Sequence, residues 1–145
     1  MILNFKKLSP TAITPTKAHT TDAGFDLYAD EDVTLKYGKM VAIKTNIAIE
    51  LPEGYVADVR PRSGLTLNTG LRVHYGTIDS GYRNGIGIIC ENGDHGALCN
   101  RTVRIKKGSK IAQLVILPIP TIELKEVNEL SDSDRGVNGF GSTGI

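Results

Sequence analysis

The sequence of 145 residues has no tryptophan, only two cysteines and eight aromatic side chains in all. Two thiols cannot form a disulfide framework, so a stable fold has to come from buried aliphatic side chains. Those are plentiful: leucine, isoleucine and valine supply 37 residues, well above the level of a disordered chain. No apolar run approaches the ~18 residues of a membrane-spanning helix, which excludes that class. The opening residues, Met1 to Lys7, lack the basic-then-apolar order of a secretory leader, so a reducing, cytoplasmic setting is expected. The formal net charge is +1, with no excess of one sign to mark a nucleic-acid or membrane partner, and neither is expected. Only glycine stands out, at 16 of 145 residues, about 11% against a usual ~7%.

The length suits one domain with a core of its own. Its dominant period is two. Ile43, Thr45, Ile47, Ile49 and Leu51 alternate with Lys44, Asn46, Ala48 and Glu50, the pattern of one half-buried strand from Ile43 to Leu51. Pro52-Glu53-Gly54 marks a turn, and Tyr55 to Arg60 resumes an extended run. Ile86 to Cys90, Thr102 to Ile105 and Ile111 to Ile119 continue a series of short strands set apart by turn residues, which favours a sandwich, jelly roll or barrel. No long stretch repeats at helical spacing, and the one expected helix is a short turn near Ser63 to Asn68. The last fifteen residues, Ser131 to Ile145, have neither period nor core and read as a mobile arm.

Charge is distributed unevenly. Three arginines and no acid lie between Arg60 and His74, and five basic residues and no acid between Arg101 and Lys110. From Glu123 to Asp134 there are five acids against Lys125 alone. Such clusters are either solvated strand faces or local anion sites, and glycine or hydroxyl neighbours favour the second. Cys90, His95 and Cys99 supply three possible zinc ligands, but a structural zinc site wants four. Asn92-Gly93 and His95-Gly96 read more simply as a hairpin tip between two strands.

Three segments carry the residues of a phosphate and nucleotide site. Pro61 fixes the backbone ahead of Arg62-Ser63-Gly64, where an arginine fork, a hydroxyl and free N–H groups make a phosphate cradle. Arg135, Gly139, Phe140, Gly141, Ser142, Thr143 and Gly144 add an arginine, two hydroxyls, free N–H groups and a ring on which a base can stack. Gly139 to Gly144 matches G-x-G-x-x-G in form, but no strand pattern precedes it, so a dinucleotide fold is not read there. Between Gly76 and Gly87, Asp79 sits in a glycine-bracketed loop with Tyr82 three residues on. Asp26 is a carboxylate flanked by apolar residues, and Gln113 is the lone polar side chain from Ile111 to Leu117. Burial of either demands a partner from the backbone or a ligand.

Taken in order, five segments resemble the five motifs of the trimeric dUTPase family: Ala23-Gly-Phe-Asp26, Pro61-Arg-Ser-Gly64, Gly76-Thr-Ile-Asp-Ser-Gly-Tyr82, Gly108-Ser-Lys-Ile-Ala-Gln-Leu114, and Arg135-Gly with Gly139-Phe-Gly-Ser-Thr-Gly144. The resemblance runs from Lys17 to Gly144 with motif order and spacing intact. It implies a jelly-roll-like β-barrel at residues 1–130 and a flexible arm at 131–145, in a homotrimer whose sites combine motifs from three subunits. The implied reaction is hydrolysis of dUTP to dUMP and pyrophosphate with Mg2+ on the triphosphate. By the same resemblance Asp79 positions and deprotonates the attacking water, and Asp26 reaches the metal through a coordinated water. Arg62, Ser63, Gly64 and Gln113 hold phosphates and the water's surroundings. Gly76, Thr77, Ile78 and Gly87 belong to a hairpin that accepts uracil, Tyr82 packs on the deoxyribose, and Phe140 covers the base. Arg135, Gly141, Ser142 and Thr143 close on the nucleotide from the arm.

Three departures stand out: Asn84 is inserted before Gly85, Ser109 stands where an acid is frequent, and Val137-Asn138 varies the arm. Asn84 is expected to keep the turn by tolerating positive φ. A dCTP deaminase shares the barrel, but needs a glutamate beside the base, and Asp79 is the only acid between Arg60 and Ile89. A nucleotide-dependent regulatory protein is the other alternative, since some phage-encoded relatives bind host repressors.

Overall fold

The computed structural model describes residues 1–93, 102–134 and 136, and among these it is all-β apart from one short helix. The elements in chain order are β1 (Asn4–Lys7), β2 (Gly24–Tyr28), β3 (Val33–Leu35), β4 (Met40–Lys44), β5 (Ile47–Glu50), β6 (Tyr55–Arg60), α1 (Ser63–Asn68), β7 (Leu71–Val73), β8 (Gly76–Ile78), β9 (Gly87–Asn92), β10 (Val103–Ile105) and β11 (Lys110–Pro118). All ladders are antiparallel. One sheet has the order β2-β11-β6-β8, a second β4-β9-β7, and β1-β5 and β10-β3 form two-stranded pairs.

All four sheets serve one core. Leu27, Ile43, Ile47, Leu71, Ile88, Ile111 and Leu114 are fully buried, and Leu35 and Ile105 join them from the β10-β3 pair. Each such side chain contributes about 1.5–3 kcal/mol of transfer free energy. This is the jelly-roll-like all-β arrangement that the family resemblance implied, with a core that is mostly aliphatic. Cys90 sits inside it, and burial pushes its thiol pKa up to about 12. His95 and Cys99 lie outside the described residues.

One sequence expectation needs correction here. The run from Ile43 to Leu51 alternates in burial except at Ala48, which is buried, and it is two strands, β4 and β5, in different sheets. Asn46 breaks it with φ of 51°. Buried Thr45 stabilises the break: its hydroxyl donates to the Ile86 carbonyl at 2.7 Å and accepts the Ile47 N–H at 3.2 Å. The hairpin tip expected at Asn92-Gly93 and His95-Gly96 runs into 94–101, outside the described residues; among the described strands β9 pairs with β4 and β7, and β10 with β3.

β11 carries an irregularity that matters for the site. Its register against β2 shifts between Lys110, opposite Tyr28, and Ala112, opposite Leu27. The extra residue turns both Ile111 and Ala112 into the core and brings Lys110 to the same face as Gln113. Strict alternation would have put two residues three apart on opposite faces. The loop leading into β11 is braced by buried Asp30, whose Oδ1 lies 2.9 Å from Lys107 Nζ and whose Oδ2 accepts from Asn46 Nδ2 at 2.6 Å. Burial would raise the Asp30 pKa, but bonding to Asn46, Lys107, Thr11 and Ser9 outweighs it and holds the carboxyl well below the usual range.

Candidate active site

The first cleft opens on the outer face of the four-stranded sheet, at its β2 edge, with a volume of about 610 Å³. Asp26, Arg62, Ser63, Gly64 and Gln113, five of the residues singled out in the sequence, line it together. In the ladders Asp26 is opposite Gln113 and Gln113 is opposite Arg60, so β2, β11 and β6 set the spacing. Gln113 Nε2 donates to the Pro61 carbonyl at 2.9 Å, the backbone partner that its place in an apolar strand demanded. A Cβ on Gly24 would lie 3.0 Å from Gln113 Oε1 and 3.1 Å from Val115 Cγ2, so this glycine makes room for the glutamine.

Asp26 is a half-buried carboxylate with two cations. Arg62 Nε lies 2.9 Å from Oδ1 and Lys110 Nζ 2.7 Å from Oδ2. Hydrogen bonding to Asp26 and its charge hold the Lys110 pKa above the ordinary lysine value. Asp22 also lines the cleft, so two acids and two bases meet there, with both cations placed on Asp26. Lys110 was not singled out in the sequence, because only the bulge brings it to this face. The adjacent apolar pair Ile111-Ala112, which interrupts alternation, is a sequence signal that points to it, beside its place in the motif from Gly108 to Leu114 and at the end of the basic cluster from Arg101.

The second cleft, of about 280 Å³, lies at the opposite edge of the same sheet, along β8 and the loop after it. Gly76, Thr77, Ile78, Asp79, Tyr82 and Gly87 line it. The segment is not a paired hairpin, because β8 pairs with β6 while β9 belongs to the other sheet. Its loop is shaped by a turn in which the Tyr82 N–H donates to the Asp79 carbonyl at 3.0 Å, and Arg83 donates to the Ser80 and Tyr82 carbonyls. Asn84 does not take positive φ as expected; its Oδ1 accepts the Gly85 N–H at 2.7 Å. The Asp79 carboxylate is exposed and makes no hydrogen bond or ion pair among the described residues.

The chain thus brings its predicted residues together in two groups but does not join them. Three strand-to-strand steps separate the edges, about 14 Å at ~4.8 Å each. Gly64 and Gly81 have nothing within 4 Å of a built Cβ, and Gly76 and Gly87 meet only ordinary contacts, so the chain's own packing does not call for glycine there. Arg135, Phe140, Gly141, Ser142 and Thr143 lie outside the described residues.

Fold and cleft place the protein among all-β domains with a polar, charge-lined cleft at one edge of a sheet. Comparison with known proteins takes the classification further. The dUTPase family model matches residues 11–144. The deoxyuridine 5′-triphosphate nucleotidohydrolases of Clostridium tetani and Clostridioides difficile are each 49% identical, covering 98% and 99% of this chain and 96% and 98% of theirs. The solved dUTPase of Staphylococcus bacteriophage 80alpha with dUPNHPP is 39% identical, covers 99% of both chains and superposes with a TM-score of 0.91. A variant dUTPase from phage phi11 of S. aureus, described with a structural Mg(II) ion, is 36% identical over 89% of this chain and 98% of its own, with a TM-score of 0.82. The chain belongs to the dUTPase family, a family of hydrolases.

Proposed function

We propose that the protein hydrolyses dUTP to dUMP and pyrophosphate, which keeps uracil out of DNA and supplies dUMP for dTMP synthesis. The observation that carries the reading is the division of chemistry between the two clefts. One holds cations, a hydroxyl and an amide suited to phosphates; the other holds an unpaired carboxylate and a tyrosine ring on open backbone. Each is half of a nucleotide site, and in one chain they lie at opposite edges of the sheet. A complete site therefore takes more than one copy, and the homotrimer with shared sites is the assembly that supplies it. The 131–145 arm, acting as a unit separate from the 1–130 barrel, closes over that site with Arg135, Phe140, Gly141, Ser142 and Thr143.

In this reading Asp79 accepts a hydrogen bond from a water, aims it at the α-phosphorus and takes its proton as the new P–O bond forms. The bond from the α-phosphorus to the bridging oxygen breaks in line, and pyrophosphate leaves. Carboxylates are weak bases, so orientation carries more of the step than basicity. Arg62, Ser63, Gly64 and Gln113 hold the phosphates. Gly76, Thr77, Ile78 and Gly87 offer main-chain groups to uracil on a path with no room for a methyl group at C5. Tyr82 covers the sugar face where a 2′-hydroxyl would clash, and exclusion of this kind discriminates better than a missing methyl.

Among the described residues no group of three His, Cys, Asp or Glu side chains could hold a metal unaided. Asp26, with its oxygens against Arg62 and Lys110, would meet a Mg2+ arriving on the triphosphate through a coordinated water rather than by direct ligation. Such an ion neutralises charge on the phosphate oxygens and on the departing pyrophosphate. The likeness to phage dUTPases, described as controlling transfer of virulence genes, supports a regulatory protein partner as a further property. A pyrophosphate-release panel with dUTP, dTTP, dCTP and UTP tests the assignment. Release from dUTP far above the other three is expected; ammonia release from dCTP would replace the reading with a deaminase.

A further inference from the structure

Arg62, Asp26 and Lys110 form a line of charge, plus, minus, plus, in which each oxygen of the carboxylate serves one cation. We infer that Lys110 is a positioning residue: by occupying Asp26 Oδ2 it limits Asp26 to one contact with Arg62 and so keeps the arginine fork turned out for phosphate. The inference rests on the reading of the first cleft as the triphosphate pocket.

The geometry supports each link. Arg62 approaches Asp26 most closely through Nε, and its two terminal nitrogens make no hydrogen bond among the described residues. Those four N–H groups are the ones that grip a phosphate in two parallel bonds. A carboxylate left to itself beside a guanidinium prefers the same bidentate grip. With Oδ2 unpaired, Asp26 is drawn onto a terminal nitrogen of Arg62 and competes directly with the ligand. Lys110 prevents this by holding Oδ2 at 2.7 Å.

The parts are fixed to rigid elements. The Asp26 N–H donates to the Thr16 carbonyl at 2.7 Å. Lys110 stands on the bulge, its ammonium 5.9 Å from the Tyr28 ring centre, and the Tyr28 hydroxyl is bonded to Thr16 Oγ1 at 2.6 Å. Arg62 follows Pro61, whose carbonyl is held by Gln113. A guanidinium with its plane set in advance loses less freedom when phosphate binds. The bulge thus has a use: without the register shift the ammonium would leave this face.

The test is a double-mutant cycle on ligand binding, read by titration calorimetry without metal. The probes are inorganic tripolyphosphate and the α,β-imido analogue of dUTP. Lys110→Met is expected to weaken both by about tenfold and Arg62→Met by about 100-fold, the range for hydrogen bonds to charged groups. The double variant is expected to bind within about twofold of Arg62→Met alone, because Lys110 acts through Arg62. Lys110→Arg should keep affinity within about threefold of wild type. Losses that multiply in the double variant would show that Lys110 is an independent phosphate ligand and overturn the inference, as would unchanged binding by Lys110→Met. Lys110→Gln repeats the cycle if Lys110→Met unfolds. Wild-type binding of tripolyphosphate but not of the nucleotide analogue would sink the dUTP reading while the cycle on tripolyphosphate still judged Lys110. Binding of neither would sink both.

Discussion

The two edges of the four-stranded sheet handle charge in opposite ways. At the β2 edge the polar side chains named for the site are already engaged: Asp26 with Arg62 and Lys110, and Gln113 with the Pro61 carbonyl. At the β8 edge the Asp79 carboxylate is exposed and unengaged, although the loop that carries it is tied down through its main chain by Tyr82 and Arg83. A site that grips a polyanion gains from groups fixed before binding, since their ordering cost is met on folding. A group that must take up a water and then its proton has to be left free of protein partners. In the proposed reaction the contrast is between a preformed grip and an open reactive group.

The sharpest way to break this comparison is at Asp79. Asp79→Asn keeps the shape and removes the proton acceptor, so kcat for pyrophosphate release should fall by about 10²–10⁴ with nucleotide affinity nearly unchanged. Near-normal turnover would show that the exposed carboxylate is not the reactive group. A chain ending at Asp134 comes next. Residues 119–134 are all exposed and none is in a strand, so its melting temperature should match wild type. Activity should fall about 100-fold, the scale of a misplaced substrate. A lowered melting temperature would instead give the segment a structural role.

The contrast also explains what could be read in the sequence. The core was legible because aliphatic alternation is local: β6 matches Tyr55 to Arg60 residue for residue, and α1 falls on Ser63 to Asn68. Motif spacing named Asp26, Arg62 and Gln113, and Gln113's need for a partner followed from its lone polarity. Lys110 escaped because its placement depends on a bulge, and a bulge is decided by how two strands pair rather than by either one. Asn46 and Thr45 ended a strand that periodicity continued, through a bond to Ile86 forty-one residues away. The segment from Gly76 to Gly87 looked like a hairpin because its turn chemistry is local, whereas the divergence of β8 and β9 into separate sheets is not.

Asp30 sharpens the comparison from the scaffold side. Asp30→Ala should cost about 2–3 kcal/mol at pH 7, less than the ~3–5 of a fully buried pair because Lys107 is half exposed. For a chain of this size that is a fall in Tm of about 8 °C. The folded-state pKa lies below the unfolded value of ~3.9, so this contribution is present above about pH 4 and is lost as pH falls toward the folded pKa. Urea melts at pH 7, 5 and 3 should show the wild-type advantage constant between the first two and smaller at the third. An advantage that grew toward pH 3 would contradict the depressed carboxyl.

The smallest expected effect separates packing from binding most cleanly. Gly64 lies in the first cleft with nothing within 4 Å of a built Cβ and no positive φ, so neither strain nor collision opposes alanine there. If glycine served the fold, Gly64→Ala would change stability; helix propensity alone predicts a slight gain of under ~1 kcal/mol within α1. If the open space is where a phosphate meets the main chain, the methyl group instead stands between N–H and ligand. KM for dUTP should then rise about tenfold, ~1.4 kcal/mol, at unchanged or slightly raised Tm. Gly24→Ala is the internal contrast, because there the methyl group meets Gln113 and Val115 at 3.0–3.1 Å and stability should fall along with affinity. Parallel behaviour of the two variants would mean that glycine at 64 is a packing residue after all, and that the cleft's open floor is not the surface on which the ligand lies.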